Sequence, residues 1–217
     1  MRRLIFRRLM LIQLATCLAM VVVVCGCSMP QGMALGPKTD PAALGGKSLA
    51  LFTLRTSNPI HPKFQPAVRT ITVIAANAKK GAPFMVNPPY DQVQNVYYEY
   101  LVSLALEPGT HTVGNVAGTR SHFPFMAQFN FPVNAWFDVP PGATIYIGHV
   151  DMTNRKREKG EPRSGPVIPL VDQAASGYAS GTFDVTISDR GGQDIAMFMQ
   201  MYPLLQGRSI TKGMMRR

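Results

Sequence analysis

Alternation of apolar and polar residues over short segments is the feature that most restricts how this chain can fold. Aromatic or aliphatic residues occupy every second position of 123–133, and Phe183, Val185 and Ile187 alternate with polar residues in 182–189. A period of two places successive side chains on opposite faces of a β-strand, so each segment predicts a strand with one buried and one wet face. Similar alternation or β-branched runs occur at 48–54, 68–76, 96–106 and 144–152.

Proline and glycine separate these segments. The chain has 217 residues with 18 Pro and 19 Gly, and turn sequences such as Glu107-Pro108-Gly109 and Pro140-Pro141-Gly142 lie between the predicted strands. This spacing excludes a coiled coil or a helical bundle. It predicts a mainly β fold, a single antiparallel β-sandwich of about 7–8 strands.

The segment 194–205 has a different pattern. Its apolar residues recur at helical spacing, Asp194 can cap the first turn, and Pro203 ends the pattern. We therefore predict a short C-terminal helix there, followed by a last short strand at about 209–211.

The N-terminal segment has the pattern of an export signal. Four arginines fall within the first eight residues, and an apolar run of 16 residues follows at 9–24. A basic start, a short apolar core and a small-residue exit predict a secretory signal, and the run is short for a spanning helix, which needs about 20 residues. Whether export uses the Sec or the twin-arginine route stays open.

The end of this segment, Val24-Cys25-Gly26-Cys27, resembles the bacterial lipobox. The resemblance implies that Cys27 is acylated, becomes the new N-terminus and holds the protein on a lipid bilayer. Ser28 follows instead of the Asp that retains enterobacterial lipoproteins at the inner membrane. The resemblance therefore implies the outer membrane, facing the periplasm or the surface, with the inner membrane as the alternative. An uncleaved anchor and an ordinary signal peptide are the alternatives.

Two turn-and-strand motifs carry a second resemblance. The segments 106–113 and 139–148 are similar to hairpins of prealbumin-like and carboxypeptidase-regulatory-like sandwiches, which are found in many uncharacterised envelope lipoproteins. The motifs are generic, so the resemblance implies a fold and no activity.

These patterns predict three regions: a signal peptide at 1–26, lipidated Cys27 with a flexible tether at 27–47, and a sandwich domain at 48–217. Removing 1–26 lowers the formal charge from +10 to +6, because that region holds four arginines and no acidic residue. Cys17 and Cys25 leave with the signal and Cys27 is acylated, so the mature chain has no thiol for a disulfide, a nucleophile or a metal site.

Two groups of residues could bind a metal. Met197, Met199 and Met201 supply thioethers, which suit Cu(I), although a helix would turn Met197 and Met199 about 160° apart. His149 and Asp151 share a strand face, but a solvent-facing strand end explains them as well.

A cluster of cations could contact an anionic partner. The cluster lies within nine residues of one Gly- and Pro-containing segment. Its members are Arg155, Lys156, Arg157, Lys159 and Arg163. Such a segment suits an anionic envelope polymer or lipid headgroups, and a solvated loop is the alternative. Nucleic acid is not expected in this compartment.

No catalytic motif is complete. Gly45-Gly46-Lys47-Ser48 ends like a phosphate-binding loop but has Pro41 where the first Gly belongs, and Gly177–Gly181 has Ala179 where a nucleophilic Ser belongs. We therefore expect a non-catalytic, membrane-anchored envelope lipoprotein without a cofactor, which binds a protein partner or an anionic envelope polymer. A periplasmic copper-handling protein that uses the C-terminal Met residues is the alternative.

Overall fold

The computed structural model describes residues 29–36, 44–122, 125–165 and 181–217. The predicted signal peptide, Cys27 and part of the predicted tether lie outside them. The described strands are β1 (Ser48–Ser57), β2 (Pro66–Ala75), β3 (Ala82–Met85), β4 (Asp91–Val93), β5 (Tyr97–Leu106), β6 (Gly109–His122), β7 (Phe125–Val139), β8 (Thr144–Lys156), β9 (Gly181–Ser188) and β10 (Ile210–Lys212). One helix, α1 (Gly191–Met201), precedes a 3₁₀ turn at Pro203–Leu205.

The strands form two sheets that pack as a sandwich, which confirms the predicted mainly β fold. The sandwich differs from the prediction in having ten described strands and two parallel pairings, β1 with β8 and β10 with β8. The four-stranded sheet has the order β3-β2-β6-β7 and is antiparallel throughout. The six-stranded sheet has the order β4-β5-β1-β8, and β9 and β10 both pair with the outer edge of β8. The facing sides of the sheets form the main core, which includes Phe52, Val102, Phe131 and Ile147.

Two strands share the outer edge of β8, one on each side of Gly148. β10 pairs with Thr144–Tyr146, and β9 pairs from His149 onward. Gly148 has φ +121°, and a Cβ at this position would lie 2.9 Å from the Met214 side chain. Glycine is therefore needed both for the backbone conformation and for the close approach.

A second, smaller core lies on the outer face of the six-stranded sheet, where α1 and the 3₁₀ turn cover β1 and β5. Its buried members are Leu35, Leu49, Leu51, Leu101, Phe198, Tyr202 and Leu205. The predicted helix is thus present, but it begins at Gly191, and Asp194 is buried in its first turn without capping it. The face of β1 and β5 that alternation assigned to solvent is partly covered.

Segments near the two chain ends close the two sides of the sandwich. On one side, the Gln31 backbone bonds to Pro83 and Met85 of β3, and the amide of Ala34 donates to the Ser103 carbonyl of β5. On the other side, Met215 bonds to Ile147 of β8 while Arg216 pairs with Trp136 of β7. Residues 31–35, within the predicted flexible tether, therefore pack on the domain.

The sandwich has two ends, which we name by the direction of β1. The proximal end holds the start of β1, the β5–β6 turn at 107–108 and the β7–β8 turn at 140–143. The distal end holds the end of β1, the loop 58–65 and the segment 157–165 after β8. A ten-residue strand such as β1 separates these ends by about 30 Å. A bilayer-spanning helix is not found within the described ranges, where α1 has 11 residues.

Candidate functional site

Polar side chains from three strands and the start of α1 meet on the outer face of the six-stranded sheet. We call this group the polar cluster; its members are Thr53, Glu99, Tyr146, His149, Arg190 and Asp194. β1 lies between β5 and β8 and pairs Thr53 with His149. A register shift after Leu51 brings both Tyr146 and His149, three residues apart, to the same face.

In the polar cluster, the donor and the acceptor of each hydrogen bond can be identified. Oδ2 of Asp194 accepts from the Thr53 hydroxyl at 2.5 Å and from the Tyr146 hydroxyl at 2.6 Å. Because the Thr53 proton is used there, its oxygen accepts from Nδ1–H of His149 at 2.7 Å. Nε2 of His149 then accepts from the Arg190 guanidinium at 3.2 Å. His149 is therefore neutral, with its proton on Nδ1.

Two carboxylates face one guanidinium in the polar cluster. Arg190 Nη1 lies 3.0 Å from Glu99 Oε1, and Arg190 Nε lies 3.4 Å from Asp194 Oδ1. The two carboxyl side chains are 5% and 0% exposed, whereas Arg190 is 23% exposed. Arg190 therefore closes the cluster from the solvent side.

Burial sets the protonation states in this cluster. Desolvation, followed by the charge of Arg190, lowers the pKa of His149 to about 4. Desolvation raises the pKa of Glu99 above its ordinary value against the opposing effects of Arg190 and Arg55. It also raises the pKa of Tyr146, and the hydrogen bond to Asp194 acts in the same direction. The arrangement can fix the start of α1 on the sheet, and its side chains other than Arg190 are buried.

His149 and Asp151, considered as a possible metal pair, have different hydrogen-bond partners. His149 lies in the polar cluster, whereas Oδ1 of Asp151 accepts a hydrogen bond from Thr153 at 2.7 Å. Within the part of the chain that the structure describes, no group of three or more His, Cys, Asp or Glu residues is arranged to hold a metal ion.

The three methionines of the copper hypothesis lie on α1 and point in different directions. Met197 accepts a hydrogen bond from the Tyr90 hydroxyl at 2.5 Å, and Met199 packs partly buried against the second core. Met201 is 45% exposed. Since successive helical residues turn about 100°, Met197 and Met199 lie on nearly opposite sides of α1. The structure does not bring the three thioethers together.

The five predicted cations lie in residues 155–163, which we call the basic segment, at the distal end. Two of them form contacts within the segment. Arg155 binds Glu161 through two hydrogen bonds of 2.6 and 2.9 Å, and Arg157 donates to the Glu161 carbonyl. The hydrogen bond from Arg155 holds the pKa of Glu161 down at about 2. Lys156, Lys159 and Arg163 are exposed and make no ion pair with other described residues.

A buried network that the sequence analysis missed holds the end of this segment. Arg120 is 1% exposed and donates to Ser164 Oγ and to Asn154 Oδ1, each at 3.1 Å. Its guanidinium lies 4.9 Å from the centre of the Phe183 ring. Asn154 in turn donates to Asn58 in the loop after β1 at 3.1 Å. The network fixes the segment at Ser164, whose amide also bonds to Gly181.

Comparison with known proteins gives no relative for this chain: no family model matches it, and no curated protein or solved structure matches it significantly.

Proposed function

We propose that this chain is a non-catalytic envelope lipoprotein, anchored to a bilayer through acylated Cys27, that binds an anionic protein or envelope polymer at its distal end. The lipobox-like segment supports the anchor, and the exposed cations support the choice of partner. The burial of the polar cluster supports a non-catalytic role, because the groups with unusual pKa values are covered by α1 and Arg190.

The observation that carries the proposal is the position of the basic segment, which lies at the end of the sandwich opposite the cavity that Gln31 lines. Gln31 lines a cavity at the proximal end, and Cys27 is four residues earlier, which limits their separation to about 14 Å. The basic segment lies at the distal end, about 30 Å away along the strands. A protein held at Cys27 would therefore present the basic segment away from its own membrane.

The basic segment is also organised in a way that suits binding. The Arg155–Glu161 pair and the network around Arg120 hold its two ends. Lys156, Lys159 and Arg163 then project from a supported backbone, with exposed Glu158 among them. A supported loop loses less conformational freedom on binding than a free one, so these charges can act together.

The anchor is tested by Cys27→Ala in the full chain. We expect the variant to remain unacylated and to move from the membrane to the soluble fraction, because the acyl chains supply the membrane affinity. Cys17→Ala is the matched control and should stay in the membrane fraction. Unchanged membrane association of Cys27→Ala would contradict anchoring at this residue.

The binding role is tested by a crosslinking pull-down from envelope membranes and by retention of the protein on immobilised polygalacturonate. Lys156→Ala/Lys159→Ala should weaken retention about tenfold at low salt, since each exposed charge contributes modestly and salt screens both. Arg69→Ala/Lys79→Ala removes the same charge from exposed positions elsewhere and should have little effect. Equal losses in the two variants would show that net charge alone is responsible and would contradict a site at the basic segment.

A further inference from the structure

A cavity of about 430 Å³ opens at the proximal end between the two sheets. Its floor is apolar, formed by Val73, Phe84 and Leu106, which are 3%, 2% and 6% exposed. Its volume falls within the range of about 300–1,000 Å³ that is usual for small-molecule sites. The cavity lies away from both the polar cluster and the basic segment.

Small residues at inward positions create this space. Ala75 follows Val73 by two residues on β2, and Ala82 precedes Phe84 by two on β3, so alternation turns both alanines towards the interior. Both line the cavity and both are only partly buried. The sheets thus continue beyond their last large side chains, and the short side chains leave an apolar slot in place of a packed core.

Cations stand at the mouth of the slot. Lys47 and Lys80 both line it. Lys47 has only a distant partner, with its Nζ 3.9 Å from Glu107 Oε1, and Lys80 is exposed and makes no ion pair with other described residues. The lining thus carries two cations and the carboxylate of Glu107, a net positive charge beside an apolar floor. This combination suits a hydrocarbon chain that ends in an anionic group.

We propose that this cavity binds an anionic amphiphile, with its acyl chain between the sheets against Ala75 and Ala82 and its head group beside Lys47 and Lys80. The site does not depend on the basic segment or on acylation. A free fatty acid and an anionic phospholipid share this chemistry, and competition distinguishes them.

Photolabelling tests the site in the full chain. The protein is reconstituted in phosphatidylcholine vesicles and irradiated with a dodecanoate that carries a diazirine near its chain end, and the labelled peptides are mapped. We expect labels in residues 73–84 and 105–111. Excess dodecanoate should remove them if the site takes fatty acids, and excess lysophosphatidylglycerol should remove them if it takes phospholipids.

Filling the cavity and removing the lysine charges at its mouth should have different effects on labelling. Ala75→Leu occupies the slot and should lose most of the labelling, whereas Ala196→Leu, an equal enlargement on the exposed side of α1, should keep it. Ala82→Leu fills the same slot from β3 and serves as the test if Ala75→Leu does not fold.

Lys47→Ala/Lys80→Ala should weaken competition by dodecanoate about fivefold, because two exposed charge contacts are lost. Competition by uncharged dodecanol should not change.

Two results would overturn the proposal. Labels spread over the exposed surface and unaffected by either filling variant would show that the probe reacts through proximity to the vesicle alone. Labels confined to the cavity but equally sensitive to dodecanol and dodecanoate in the unaltered chain would show an apolar site without selection for an anionic head group.

Discussion

The polar cluster beneath α1 and the network around Arg120 are both buried, but their hydrogen bonds join different kinds of groups. The cluster places the carboxylates of Glu99 and Asp194 against a single guanidinium, whereas Arg120 donates to the neutral oxygens of Asn154 and Ser164. The hydrogen bonds to Asp194 are 2.5 and 2.6 Å long, shorter than the 3.1 Å bonds from Arg120, and Arg190 gives Asp194 a further charged partner. The comparison teaches that the attachment of α1 is more sensitive to substitution than the distal end.

The largest effect should follow from Asp194→Ala. The change removes the shared acceptor of Thr53 and Tyr146 and leaves Arg190 with one fewer carboxylate. Because two buried hydroxyl donors would lose their acceptor, we expect a loss of about 3–5 kcal/mol in the free energy of unfolding, measured by urea denaturation. Asp184→Ala, an exposed carboxylate on β9, is the control and should change it little. A similar small loss for both would show that the cluster does not stabilise the fold.

The next effect is a dependence of stability on pH. Because the pKa of His149 falls from an ordinary 6.5 to about 4 on folding, the unfolded chain takes up a proton first as the pH decreases. The stability is therefore fully present above pH 6.5 and should fall by up to about 3 kcal/mol between pH 6.5 and pH 4. Glu99 acts in the opposite sense, since its raised pKa favours the folded state at low pH.

Substitution separates these two contributions. Urea denaturation of His149→Gln across this pH range should show a flatter loss of stability, and Glu99→Gln should show a steeper one. An unchanged profile in His149→Gln would mean that other groups cause the dependence.

Arg120→Met should have a smaller effect on the same measurement. The substitution keeps much of the volume and the contact with Phe183, but Asn154 and Ser164 lose a charged donor. We expect a loss of about 2 kcal/mol, in keeping with hydrogen bonds from a charged group to neutral acceptors. A loss larger than that of Asp194→Ala would reverse the comparison between the two networks.

The smallest effect on global stability is expected for Glu161→Gln in the basic segment. Glu161 pairs with Arg155 at the surface and accepts a hydrogen bond from the Glu158 amide at 2.8 Å. Hydrogen exchange at Glu158 should become faster, while the urea midpoint stays within error, because exposed ion pairs contribute little to global stability. Unchanged exchange would show that the pair does not order the segment.

The sequence predicted the sandwich well because alternation is a local signal. In β7, the predicted face holds Ala127, Phe129, Phe131 and Val133; all four are buried, and the last three belong to the main core. The prediction of a wet opposite face was incomplete for β1, where Leu49 and Leu51 lie beneath α1. Apolar residues on both faces of that strand were a usable signal of burial on both sides.

The polar cluster was not predictable in the same way. Thr53 and Asp194 are 141 positions apart, and they meet only because β1 pairs in parallel with β8 and the chain then returns through β9 into α1. Asp194 in the first turn of a predicted helix reads as a cap, since that is its usual local role. Tertiary contact replaced this role with a buried one. The network around Arg120 has the same origin, because no local pattern marks an arginine for burial.

The C-terminal residues that pair with the edges of β7 and β8 come late in the sequence, which affects the order in which the strands can pair. Arg216 supplies the backbone pair for Trp136 on β7, and β10 covers part of the edge of β8. These pieces follow every other strand in synthesis, so a growing chain exposes both edges until its last residues emerge. A chain that folds as it is made can therefore pair these two edges only after its other described strands have formed.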